Sequence, residues 1–145
     1  MSLQVFKMDM KNKLNQAVIA FLFTAIFLFG ANAIMAQTDK TPKRRLQNPA
    51  TVKGVVGGEA HNSYVIRALQ GQMMTVQISW RREADNRAEF SVSRSANFFN
   101  SEPVKFGKET NNGKSWGGKI PKTGNYYIYV VAHPMAKYTL KVSVK

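Results

Sequence analysis

Met73-Met74-Thr75-Val76-Gln77-Ile78-Ser79-Trp80 (MMTVQISW) alternates without a break: Met74, Val76, Ile78 and Trp80 share one side, and Thr75, Gln77 and Ser79 share the other. A period of two is the mark of a strand with one dry face, because successive side chains of an extended chain point to opposite sides. The C-terminus repeats the pattern. Tyr138, Leu140, Val142 and Val144 alternate with Thr139, Lys141 and Ser143, so the chain ends on a strand held in a sheet. Helical spacing is sustained nowhere from Thr51 onward.

Between and around these two lie shorter candidates: Thr51 to Val56, Ser63 to Leu69, Ala88 to Ser93, Val104 to Phe106, Ser115 to Ile120 and Tyr126 to Val131. Eight short strands in about 95 residues predict an all-β fold, an antiparallel β-sandwich forming a single domain over residues 51–145. The Tyr126 to Val131 run (YYIYVV) is apolar or aromatic at every position, which predicts a central strand covered on both faces. Gly57-Gly58, Gln70-Gly71, Asn111-Asn112-Gly113 and Thr123-Gly124-Asn125 supply the residues that tolerate positive φ where the chain must reverse. No repeat recurs at a fixed period.

Residues 1–36 read differently. Lys7, Lys11 and Lys13 precede the apolar run Ala17 to Phe29, and Gly30 and Ala31-Asn32-Ala33 follow it. Basic, apolar, then small is the order of a secretory signal peptide. Cleavage is expected after Ala33 or Ala36, with Met8 or Met10 as alternative starts. If it were retained, the same segment would be a short signal anchor, the chain's one route to a membrane. On either reading the domain works outside the cytoplasm, in the periplasm or as a secreted protein. Residues 37–50 (QTDKTPKRRLQNPA) are polar and basic with two prolines, and are expected to form a flexible basic leader.

The 145 residues carry 21 Lys plus Arg against 8 Asp plus Glu, a net charge of +13. Removing residues 1–36 takes away three lysines and one aspartate and leaves +11. The absence of cysteine excludes disulfides, thiolate metal sites, a cysteine nucleophile and a lipidated cysteine. His61 and His133 have no partner at metal-ligand spacing, so no metal is expected. No serine sits in a Gly-x-Ser-x-Gly elbow. Glu83, Asp85 and Glu89 fall in an Arg-rich stretch (RREADNRAE), where ion pairing explains them better than a glycosidase acid pair does. No phosphate-cradling loop is present, and the basic residues scatter without an RNA-recognition pattern. The chain reads as a non-enzyme without cofactor and without a nucleic-acid partner.

The order of features resembles the bacterial periplasmic lysozyme inhibitors directed against goose-type and invertebrate-type lysozymes. The stretches that carry the resemblance are YVIRALQGQMMTVQI from Tyr64, NRAEFSV from Asn86, WGGKIPKTGNY from Trp116 to Tyr126, and the closing Tyr138-Thr139-Leu140. It covers about 90 residues. The Tyr-x-x-x-Ala-x-x-Gly-Gln opening and the Gly-x-Tyr-x-Ile-x-Val hairpin are also similar to pre-peptidase C-terminal domains, small secreted sandwiches attached to hydrolases.

The resemblance implies a proteinaceous inhibitor with lysozyme as its partner. The family's Ser-Gly-x-Tyr contact motif corresponds to Thr123-Gly124-Asn125-Tyr126, with threonine for serine. The Lys119 to Tyr126 hairpin would then block the substrate cleft, with Thr123 and Tyr126 as anchors and Gly124 shaping the turn. Lys119 and Lys122 would meet the acidic cleft of an otherwise cationic enzyme. A turn leading into a strand through a buried tyrosine is the competing reading of the same residues. The alternative function is a basic cell-envelope or glycan-binding module without inhibitory activity, holding an anionic envelope polymer and stacking sugars on Trp80, Trp116 and exposed tyrosines.

Overall fold

The computed structural model describes residues 37–83 and 85–145; the expected signal segment lies outside them. The described residues form nine strands: β1 Lys43–Arg45, β2 Ala50–Gly57, β3 Asn62–Ala68, β4 Met73–Trp80, β5 Arg87–Ser93, β6 Lys108–Thr110, β7 Ser115–Lys119, β8 Gly124–His133 and β9 Met135–Val144. They build a four-stranded sheet in the order β1-β3-β8-β5 and a five-stranded sheet in the order β2-β9-β4-β7-β6. Every pair is antiparallel except β1 with β3. The fold is a β-sandwich.

The dry face of β4 lies between the sheets: Met74, Val76 and Ile78 are buried, as are Leu140 and Val142 of β9 beside them. Ile66 of β3 and Ile128 and Val130 of β8 meet them from the other sheet. Tyr138 lies over Gly54, where an added Cβ would come 2.5 Å from the tyrosine oxygen. That phenol completes a buried polar link: it shares a 2.7 Å hydrogen bond with the Tyr64 hydroxyl and accepts one from Asn62 Nδ2 at 2.7 Å. Burial, followed by the Tyr64 contact, pushes the Tyr138 hydroxyl well above the ordinary phenol range.

β8 is central in its sheet and covered on both faces, as its sequence demands. On the outward side Tyr129 is only 1% exposed, because His61 and Phe98 close over it at ring distances of 5.9 and 5.4 Å. Its hydroxyl donates to the Ser95 carbonyl at 2.7 Å, and burial, with the Asp39 charge second, pushes its pKa up to about 12.

Two local expectations are corrected, and one strand was not expected at all. Val104 to Phe106 is not a strand: it makes one backbone bond, Val104 N–H to Val92 O, and Phe106 instead turns its ring onto Trp116. β6 is a wholly exposed Lys-Glu-Thr edge with no apolar signature to announce it. The stretch 37–50 is fastened rather than flexible. The Asp39 carboxylate accepts from the Thr41 N–H at 2.9 Å, the Phe98 N–H at 3.3 Å and Lys43 Nζ at 3.3 Å, and lies 3.2 Å from His61 Nε2. β1 runs beside β3, Leu46 is buried in the core, and the Asn48 side chain bonds both the N–H and the carbonyl of Val144. These anchors are single polar or apolar residues whose partners lie far along the chain, so no local period reveals them.

Candidate functional site

The turn between β7 and β8 sits at one end of the sandwich, beside the turn that follows β3. It is built from both. Gly71 N–H donates to the Ile120 carbonyl at 2.8 Å and Ile120 N–H to the Gln72 carbonyl at 2.7 Å, while the buried Ile120 side chain roots the turn in the core. Pro121, Lys122 and Thr123 are exposed beyond it, and Lys119 is exposed at the end of β7. Gly71 has φ 88°, which a glycine adopts without the steric penalty of a Cβ.

Three further hydrogen bonds hold the turn in one conformation. Thr123 Oγ1 accepts from the Gln70 N–H at 2.9 Å, which leaves its own hydroxyl proton to donate. The Lys122 carbonyl accepts from the Tyr126 hydroxyl at 2.7 Å and from Arg94 Nη1 at 3.3 Å. A tyrosine near the start of a strand bonding a carbonyl a few residues upstream is the tyrosine corner of β-sandwiches. The Arg94 guanidinium lies over the Tyr126 ring, 4.7 Å from its centroid, and a Cβ on Gly124 would approach the guanidinium nitrogens to 3.0 Å.

Lys119, Lys122 and Thr123 are therefore together and accessible, and Gly124 is half-buried at the start of β8. Tyr126 is not accessible. Its side chain is 0% exposed, pointing between the sheets with Phe106 edge-on at 6.0 Å, so the expectation that its ring is an anchor for a partner is corrected to a scaffold role. In an extended strand Tyr126 points to the same side as Ile128 and Val130, and that side is the core. Arg94 went unnoticed in the sequence because it is 28 residues from the carbonyl it holds. The Gly-x-Tyr opening of β8 was the one signal of the corner.

The two tryptophans do not offer open sugar-stacking faces. Trp116 is 6% exposed, wedged against Gly107 and Gly118, whose missing side chains make room for its ring. Trp80 is half-buried, donates to the Asn86 carbonyl at 3.2 Å, and has Lys114 Nζ over its ring at 4.7 Å.

No family model and no curated protein matches the chain. Solved structures do. PliG of Aeromonas hydrophila, a periplasmic lysozyme inhibitor of g-type lysozyme, aligns with a TM-score of 0.59 at 26% identity, over 74% of this chain and 100% of its own. The chain is similar to the PliG lysozyme inhibitors. Salmonella Typhimurium PliG, likewise an inhibitor of g-type lysozyme, aligns with a TM-score of 0.51 at 21% identity, over 71% of this chain and 98% of its own. The pre-peptidase C-terminal domain of a Bacillus anthracis collagenase shares the fold, with a TM-score of 0.53 at 18% identity over 75% of this chain and 100% of that domain. Both groups to which the sequence was compared are thus among its structural neighbours.

Proposed function

We propose that the protein is an exported inhibitor of lysozyme, acting in the periplasm or outside the cell, that seats the turn from Lys119 to Gly124 in the enzyme's substrate cleft. The observation that carries this reading is the likeness to a g-type lysozyme inhibitor along that protein's entire length. Support for the turn as the inhibitory element comes from its construction. Its exposed tip carries two ammonium groups and a hydroxyl, and five backbone-directed hydrogen bonds hold it before any partner arrives. Pre-organisation of this kind removes much of the ordering entropy that binding otherwise costs. Lys119 and Lys122 give the +11 domain a local match for the acidic groups of a glycosidase cleft. Tyr126 takes part only by holding the Lys122 carbonyl.

A turbidity assay on cell-wall suspensions tests the reading with g-type, invertebrate-type and chicken-type lysozymes. Inhibition is expected at or below micromolar protein, strongest for the g-type enzyme. No effect on any of the three at that concentration overturns the proposal. Export is tested by sequencing the N-terminus of the protein recovered outside the cytoplasm, expected at Ile34 or Gln37.

A further inference from the structure

The outward face of the five-stranded sheet carries one sign of charge. Alternation along each strand brings Lys53 of β2, Lys137 and Lys141 of β9, Lys119 of β7 and Lys108 of β6 to this side, all exposed. Register aligns them: Lys53 stands opposite Thr139, midway between Lys137 and Lys141, and Lys108 opposite Gly117. No acidic residue shares the face. The acidic residues of the described chain lie on connections, on the other sheet, or, for Glu109, on the inward side of β6 opposite Trp116. Among the described residues no carboxylate is paired with any of the five lysines.

Hydroxyl and amide groups fill the space between the charges: Thr51, Thr75, Gln77, Ser79, Thr139 and Ser143. A shallow trough of about 500 Å³ opens among Lys53, Lys137, Ser79 and Thr139, with Arg81 at its rim beside Glu83. Lys137 and Lys141 are four residues apart on one strand, hence about 13 Å from each other, and the face is about 19 Å across its five strands. Cations spread in this way do not converge on one small anion. They suit a chain with repeating charge.

We propose that this face is a docking surface for a phosphate-bearing polysaccharide of the cell envelope. Lysines act as point charges toward phosphate, and the hydroxyl and amide rows offer hydrogen bonds to sugar hydroxyls. A lipid bilayer fits less well, because the exposed apolar residues of the face are split, Val55 and Met135 at one end and Met73 at the other, and form no continuous patch to insert. Single-stranded nucleic acid fits less well too, since the two aromatic residues bordering the trough offer a base no open platform: Tyr138 is buried, and half-buried Trp80 has Lys114 over its ring. The surface is separate from the inhibitory turn except at its Lys119 corner, and it stands whether or not the protein inhibits lysozyme.

The test titrates the purified protein with phosphorylated dextran, unmodified dextran, vesicles containing anionic lipid, and a single-stranded oligonucleotide, at low and high salt. Phosphorylated dextran is expected to bind at low salt and dissociate at high salt, and unmodified dextran not to bind. Lys53→Gln/Lys137→Gln/Lys141→Gln should weaken binding about tenfold and each single change about twofold, as exposed ion pairs contribute. The same three positions changed to arginine should retain binding, and lysozyme inhibition should be unchanged throughout. A control of equal charge loss off the face, Lys40→Gln/Arg45→Gln/Arg82→Gln, should cost under twofold. Equal loss in control and face variants overturns the proposal, as does binding of vesicles or oligonucleotide as tight as that of phosphorylated dextran. If the triple variant melts early, the single changes carry the test.

Discussion

Tyr126 separates scaffold from contact surface, and two substitutions measure the difference. Tyr126→Ala removes a side chain that is 0% exposed and on which Phe106 and Arg94 both rest. Loss of a buried aromatic with the cavity it leaves costs about 3 to 5 kcal/mol. Tyr126→Phe keeps the ring and deletes one 2.7 Å hydrogen bond, while Arg94 still reaches the Lys122 carbonyl; the cost is about 1 kcal/mol. At about 4 °C per kcal/mol for a domain of this size, the phenylalanine variant should melt about 4 °C below the parent and the alanine variant more than 12 °C below. The phenylalanine variant leaves every exposed group of the turn in place and loosens only its backbone. Its inhibition constant should therefore rise about two- to tenfold, the scale of re-ordering a short segment. Thermal melting by circular dichroism and a turbidity assay with g-type lysozyme, run on the same preparations, read both quantities. An alanine variant that melts within 2 °C of the parent yet no longer inhibits would put the ring at the interface and refute the core placement.

Lys119→Gln/Lys122→Gln should raise the inhibition constant, with the difference from the parent shrinking as salt increases and Tm nearly unchanged, because both ammonium groups are exposed. Gly54→Ala should lower stability by about 2 kcal/mol, within the range for overpacking a filled site, since its Cβ would come 2.5 Å from the Tyr138 oxygen in a link that also binds Tyr64 and Asn62; an unshifted melting curve would contradict that packing. Burial alone would raise the Asp39 carboxyl, but the hydrogen bonds from Thr41, Phe98 and Lys43 outweigh it and take the pKa down to about 2 from 3.8. A depressed folded-state pKa contributes stability that is complete above the unfolded value and is lost as pH falls through the folded one. Stability should accordingly drop between pH 4 and pH 2, and Asp39→Asn should remove that dependence and lower Tm at pH 7, with Lys43 and His61 the charged and titratable groups facing the site.

Seven of the nine strands were legible in the sequence because burial of one sheet face writes a period of two into the chain, and that signal is local. β4 was expected at Met73 to Trp80 and lies there to the residue; β9 carries its alternation two residues further back, to Ala136. β1 and β6 were invisible: their residues are polar, their pairing comes from the neighbouring strand, and burial leaves no mark on an exposed edge. The candidate turn was visible through its Gly-Asn chemistry, but the direction of Tyr126 was not. YYIYVV is apolar on both sides, so alternation could not say which side faced the core, and that was decided by the second sheet closing over Tyr126, Ile128 and Val130. The single-signed lysine face needed tertiary structure even more. Its residues run from Lys53 to Lys141 along the chain, and only the order β2-β9-β4-β7-β6, set by long-range hydrogen bonding, gathers them on one plane.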